Sequence, residues 1–98
     1  MRCSHMRERI RKRIVFTGRV QGVGFRWYAK RAAESLRVTG WVRNEYDGSV
    51  TMEVQGTEAE IDRMLLEVQA GRYIDVQDMQ IRGIPVEEEE RSFRVRGY

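Results

Sequence analysis

The chain has 98 residues, with 18 lysines and arginines against 15 aspartates and glutamates, a formal charge of +3. That length bounds it to one domain, large enough to bury about two thirds of its unfolded surface. No stretch approaches transmembrane length, no signal-peptide core is present, and the one cysteine, Cys3, rules out an internal disulfide. Much of the basic excess is local, because Arg2, Arg7, Arg9, Arg11, Lys12 and Arg13 crowd the N-terminus. Such an arm can attract nucleic acid or acidic lipid; the reading adopted is a frayed tail leading into the first strand. Ser4-His5-Met6 resembles a vector remnant, which would make Met6 the native start and leave Cys3 and His5 without function. The expected organisation is therefore a tail over residues 1–9 and one domain over residues 10–98.

Residues 11–17 are rich in apolar and β-branched types and predict a first strand, with Ile14 and Phe16 on one face and Val15 on the other. A glycine-rich turn follows, Gly18-Arg19-Val20-Gln21-Gly22-Val23-Gly24. From Phe25 onward, Tyr28, Ala29, Ala32, Ala33 and Leu36 recur at helical spacing, so a first helix runs from Phe25 to Leu36 or Arg37. Its stripe is narrow and alanine-rich and can lie close on a sheet. Lys30 and Glu34 are spaced for an i,i+4 pair. Trp27 falls beside the stripe, where edge-of-core packing is preferred over a partly exposed cover for the turn.

Residues 38–43 predict a second strand, interrupted by Gly40. Asn44-Glu45-Tyr46-Asp47-Gly48 then carries strong turn chemistry. In residues 49–55 Val50, Met52 and Val54 alternate against Thr51, Glu53 and Gln55, which predicts a third strand in a sheet with one wet face. Gly56 breaks that strand. Thr57-x-x-Glu60 is a capping box, and Ile61, Met64, Leu65 and Val68 give the stripe of a second helix over residues 58–70, stopped by Gly71. Residues 76–82 predict a fourth strand, ended by Gly83 and Pro85. Glu87-Glu88-Glu89-Glu90 reads as a solvated turn, and residues 92–96 as a fifth strand. The order β-α-β-β-α-β plus a fifth strand predicts an α+β fold, a two-layer ferredoxin-like sandwich with two helices on one face of a mostly antiparallel sheet. In that topology the first two strands run parallel with the third between them, so the glycine turn and Asn44 reach the same rim.

Three glycines permit positive φ and close approach by a ligand, and the N–H groups of the helix start point into the turn. The turn can hold a phosphate-sized anion, with Arg26 adding a bidentate fork. Its spacing, G-x-x-x-G-x-G, matches neither the G-x-x-x-x-G-K-[ST] loop nor the G-x-G-x-x-G turn. The competing reading is a tight turn whose glycines relieve crowding, with Arg26 a solvated charge. Asn44 offers a donor and an acceptor on one rigid head and can hold a water, or it can cap its turn. Gly18-x-Val20-Gln21-Gly22-Val23-x-Phe25-Arg26 resembles the signature of the acylphosphatase family. Gly40-Trp41-Val42-Arg43-Asn44-Glu45-Tyr46-Asp47-Gly48-Ser49-Val50 resembles that family's second signature, in the expected order and at the expected separation. The resemblance covers roughly residues 10–98, the second half adding element order but no motif. It implies the ferredoxin-like fold and hydrolysis of the carboxyl-phosphate bond of acyl phosphates to carboxylate and inorganic phosphate. It also implies that the backbone N–H groups of Gln21, Gly22, Val23, Gly24, Phe25 and Arg26 cradle the phosphoryl oxygens. Arg26 would neutralise their charge and Asn44 orient the attacking water, with no metal and no organic cofactor.

The missing residue types point the same way. Outside the tail there is no histidine or cysteine, which removes a His–Ser pair, a cysteine nucleophile and an N/S metal site. A catalyst built from what remains uses positioning and electrostatics, and this requires a good leaving group. A carboxylate, with a conjugate-acid pKa of about 4, departs without a general acid. Phosphoryl transfer also tolerates a weak nucleophile when its transition state is loose, and the water's proton can pass to a phosphoryl oxygen. Inorganic phosphate is expected as product and competitive inhibitor, and the protein as a cytoplasmic monomer without nucleic-acid or membrane partners. Two other readings compete. Acylphosphatase-like modules occur within carbamoyl-transfer proteins that mature hydrogenases, although a chain ending just after its fifth strand favours a free-standing enzyme. A ferredoxin-like nucleic-acid-binding module would use Trp27, Tyr28 and Trp41 with the basic arm, but the third strand lacks the aromatic pattern of RNA-binding sheets.

Overall fold

A computed structural model describes residues 8–97. The tail reading for residues 1–7, including Ser4-His5-Met6, lies outside the described residues. The elements follow in the expected order: β1 (Ile10–Arg19), α1 (Phe25–Leu36), β2 (Thr39–Asn44), β3 (Val50–Gly56), α2 (Glu58–Gln69), β4 (Asp75–Ile84) and β5 (Phe93–Arg96). They build one sheet ordered β4-β1-β3-β2-β5. β1 is antiparallel to β3 and β4, β2 is antiparallel to β3, and β5 runs parallel to β2 on the edge. β1 and β2 therefore point the same way on either side of β3, and their C-terminal ends share a rim.

Both helices cover one face of the sheet, which is a ferredoxin-like α+β arrangement. Ile14 and Phe16 of β1, Val42 of β2 and Val50, Met52 and Val54 of β3 are fully buried there. α1 adds Phe25, Ala29, Ala32 and Ala33, and α2 adds Ile61, Met64, Leu65 and Val68. Burying one large apolar side chain contributes about 1.5–3 kcal/mol, so this cluster outweighs any single polar contact in holding the layers together. The capping box of α2 is complete: the Glu60 N–H donates to Thr57 Oγ1 at 3.2 Å, and the Thr57 N–H donates to Glu60 Oε1 at 2.9 Å.

Several strand limits differ from expectation because pairing partners override local glycine signals. Gly40 does not interrupt β2; a side chain there would collide with the Glu53 carbonyl of β3. Gly56 does not break β3, since it pairs with Ile10, and Gly83 does not end β4, since it pairs with Lys12. Strict alternation fails in β4. The register shifts between Thr17 and Gly18, leaving Gln77 between two paired residues, and this bulge brings Val76 and Met79 against the same core. Gly71 takes no positive φ; α2 runs out through Ala70 in right-handed conformation, and the Gly71 N–H donates to Val68 O at 3.1 Å.

The open face of the sheet is drier than its alternation predicts. Thr51, Gln55 and Arg11 are buried on it, and residues 87–90 bond to Gln55 and Arg11 there. Arg11 donates to both Glu90 carboxylate oxygens, at 2.7 and 3.2 Å, and to Glu53 at 2.9 Å. Arg13 donates to Glu53 at 2.7 Å. Gln55 donates to Glu87 O at 3.0 Å and accepts from the Glu87 N–H at 2.8 Å. The Glu87-to-Glu90 run does turn, with the Glu90 N–H donating to Glu87 O at 3.2 Å, and Glu87, Glu88 and Glu89 are exposed as expected. Glu90 alone departs from a solvated turn, its half-buried carboxylate held by Arg11.

Candidate active site

The rim is built from the loop after β1. Phe16 of β1 and Phe25, the first residue of α1, meet edge-on with ring centres 4.8 Å apart and planes at 63°. Such pairs add about 0.5–1.5 kcal/mol beyond the area they bury. Val20, midway between them, is fully buried as well. These inward side chains leave the backbone of residues 21–26 at the surface. Gly22 at φ 73° and Gly24 at φ 84° take the left-handed conformation, where a side chain would cost about 1–2 kcal/mol.

Gly24 is the N-cap of α1, and no side chain caps that helix. The Tyr28 N–H donates to Gly24 O at 3.0 Å and opens the helical bonding, so the N–H groups of Phe25, Arg26 and Trp27 have no acceptor within the helix. No acidic residue stands in the first turn of α1, whereas the first turn of α2 holds Glu58 and Glu60. α2 thus neutralises its own positive end, while α1 presents its own to an outside anion. Arg26 is half-buried there and forms no ion pair among the described residues.

Asn44 ends β2, in the rung that pairs it with Val50. It lines one cavity of about 210 Å³ together with Val20, Gly22, Gly24, Phe25, Arg26 and Trp27. Pockets that enclose drug-sized ligands run to roughly 300–1,000 Å³, so this one suits a small ion and leaves a larger substrate's remainder outside. The lining holds no carboxylate and no histidine. Among the described residues no group of three or more His, Cys, Asp or Glu side chains is placed to hold a metal ion. Asn44 Oδ1 is buried without a hydrogen-bond partner, a condition that costs about 1–3 kcal/mol. Capping the turn does not explain it, because Asp47 does the capping: its Oδ1 accepts from the Ser49 N–H at 2.9 Å and from Ser49 Oγ at 2.6 Å. Those bonds hold the Asp47 carboxyl below its usual range.

Gln21, Gly22, Val23, Gly24, Phe25 and Arg26 thus gather at one rim with Asn44, as the topology leads one to expect. Two side chains behave otherwise. Trp27 does not pack at the edge of the core; it is 58% exposed, meets Tyr28 edge-on at 5.0 Å and carries the Arg31 guanidinium 5.3 Å from its ring centre. Tyr28 takes the core edge instead. The Gln21 amide donates to Glu45 O at 2.7 Å and Ser49 O at 2.8 Å, a contact that no spacing in the sequence signals. Nor do Trp27, Tyr28 and Trp41 form a joint stacking surface. The first two lie on α1, whereas Trp41 is on the open sheet face with the Arg13, Arg43 and Arg96 guanidiniums 5.9, 5.0 and 4.8 Å from its ring centre.

A family model described as acylphosphatase matches residues 12–95. The chain is 43% identical over 81 residues to an acylphosphatase of Oceanobacillus iheyensis, covering 81% of this chain and 89% of that protein. It is 40% identical over 83 residues to an acylphosphatase of Clostridium acetobutylicum, covering 84% and 91%. The crystal structure of acylphosphatase from Bacillus subtilis superposes with a TM-score of 0.81 at 31% identity, over 88% of this chain and 97% of that one. Full-length HypF in a phosphate- and nucleotide-bound form gives a TM-score of 0.83 at 27% identity, over 93% of this chain but 12% of that longer one.

Proposed function

This chain belongs to the acylphosphatase family and is an acylphosphatase hydrolase, and from that premise we propose that the rim cavity between the start of α1 and Asn44 is its active site and works without a metal. The backbone N–H groups of residues 21–26 hold the phosphoryl oxygens, and the Arg26 fork neutralises them. Asn44 Oδ1 accepts a hydrogen bond from a water and holds it in line with the bond to be broken. The water oxygen bonds to phosphorus as the bond from phosphorus to the carboxyl oxygen breaks. That electron pair leaves with the carboxylate, and the water's proton passes to a phosphoryl oxygen, giving inorganic phosphate. Positioning and preorganised charge supply the acceleration.

The observation that carries this reading is the partnerless Asn44 oxygen beside a cavity whose other wall is an uncapped helix start with Arg26. The cavity's small volume supports a site that grips the phosphate end and accepts varied acyl groups. The higher identity to the Oceanobacillus and Clostridium relatives, 43% and 40% against 27% for HypF, supports this reading over a hydrogenase-maturation module. On the same reading the protein is a cytoplasmic monomer with no nucleic-acid partner; no helix among the described residues is long and apolar enough to cross a membrane.

Phosphate itself supplies the test. Inorganic phosphate should inhibit competitively and raise the melting temperature, by about 2.7 kcal/mol of stabilisation at a hundred times its Kd. Arg26→Ala should lose both effects. A wild-type protein whose melting is unmoved by saturating phosphate would remove the anion cradle.

A further inference from the structure

Resting on that reading of the site, we infer that Gln21 is a positioning residue whose side chain fixes the phosphate cradle against the end of β2, and so sets the distance from the cradle to Asn44. A carboxamide nitrogen has two hydrogens, and both are used here: one goes to Glu45 O at 2.7 Å and the other to Ser49 O at 2.8 Å. Glu45 follows Asn44 in sequence, and Ser49 precedes Val50, the residue paired with Asn44. Gln21 therefore grips both strands one residue beyond the Asn44 rung. Two bonds from one rigid head fix orientation as well as separation.

The turn does not need Gln21 for its own closure. The Glu45 N–H donates to Ser49 O at 2.9 Å and the Gly48 N–H to Glu45 O at 3.2 Å, and Asp47 holds Ser49 from the other side. The loop has its own anchors in Val20 and Phe25. Losing the Gln21 amide leaves both pieces folded and frees one against the other. That combination harms catalysis more than binding, because the cradle keeps its shape while Asn44 loses its place relative to the phosphoryl group. Only glutamine combines this length with two donors, since glutamate would set oxygen against two carbonyl oxygens and methionine would fill the space without donors.

The experiment is a double-mutant cycle with Gln21→Met and Asn44→Ala, read as kcat, KM and the melting shift given by inorganic phosphate. Gln21→Met should lower kcat about 10–100-fold, the scale of a displacement of up to about 1 Å from the reactive geometry, while KM and the phosphate shift stay near wild type. In the Asn44→Ala background the same change should cost little more, since the residue it positions is gone. Wild-type kcat in Gln21→Met, or an equal fold loss in both backgrounds, overturns the inference and leaves the site reading intact. Full activity in Asn44→Ala alone overturns the water-orienting reading and the inference with it. Gln21→Glu keeps the length and guards against a methionine variant that fails to fold. Its kcat relative to wild type should be poor at neutral pH and recover in part on acidification, when a protonated carboxyl regains one of the two donors; a ratio flat with pH would count against the inference.

Discussion

In an Asn44→Ala variant, turnover should collapse while folding stability holds or rises. Asn44 Oδ1 is buried without a partner, and an unsatisfied buried acceptor costs about 1–3 kcal/mol. Truncation to alanine removes that penalty but also removes packing from a half-buried side chain, a loss on the scale of about 0.5–1.5 kcal/mol for a small buried group. The net expectation runs from a loss of about 0.5 to a gain of about 2.5 kcal/mol, and in a domain of this size 1 kcal/mol moves the melting temperature by about 4–8 °C. Turnover should fall by about 10²–10³, the usual effect of losing one preorganised polar contact in a transition state. The assay pairs a thermal melt in phosphate-free buffer with initial rates on an acyl phosphate. Asn44→Asp sharpens the comparison, since it nearly keeps the shape and can hold a water but sets a negative charge beside the phosphoryl group; it should fold and be nearly inactive at neutral pH. A variant of either kind that melts several degrees lower and keeps its kcat would mark Asn44 as a structural turn residue.

Arg26→Lys should recover little of the activity lost in Arg26→Ala, because a point charge cannot replace the planar fork; near-complete rescue in initial-rate measurements would reduce Arg26 to its charge. Stability should be lost on the acid side through Glu53. Burial pushes its carboxyl up, but hydrogen bonds from Arg11 and Arg13 pull it further down, so the folded value lies below the usual one. Its contribution is therefore fully present above the unfolded carboxylate value of about 4.3 and is lost as pH falls through the depressed folded value. Melting temperature should hold steady from neutral pH to about pH 5 and drop below about pH 4, and Glu53→Gln should melt lower at neutral pH with a shallower acid drop. An unchanged acid slope in Glu53→Gln would move the effect to other carboxylates.

What can be read from the sequence is local or topological. The Thr57–Glu60 box has both halves within one turn, and the helix stripes repeat within a few residues, so each appears in a short window. Asn44 lies 18 positions past Arg26, far outside any such window; it meets the glycine loop because the order of elements makes β1 and β2 parallel. Contacts that depend on side chains distant in sequence leave no trace. Arg11 and Glu90 are separated by 79 positions, and a run of four glutamates alone resembles a solvated turn. Gly40, Gly56 and Gly83 look like breaks until their partners on neighbouring strands are known. The spacing of Trp27 puts it near the apolar stripe, while its position on the first turn of α1 carries it out over the cavity. The amide of Gln21 bonds to backbone carbonyls, which have no identity in a sequence.

Release of inorganic phosphate from an aryl acyl phosphate, by the purified protein in excess chelator and beside folded Arg26→Ala, tests the central claim most directly. The geometry predicts turnover above spontaneous hydrolysis, unchanged by the chelator and nearly abolished in Arg26→Ala. Turnover that the chelator removes and one divalent metal restores, or an Arg26→Ala protein as active as wild type, would contradict a metal-free site built on the uncapped helix start.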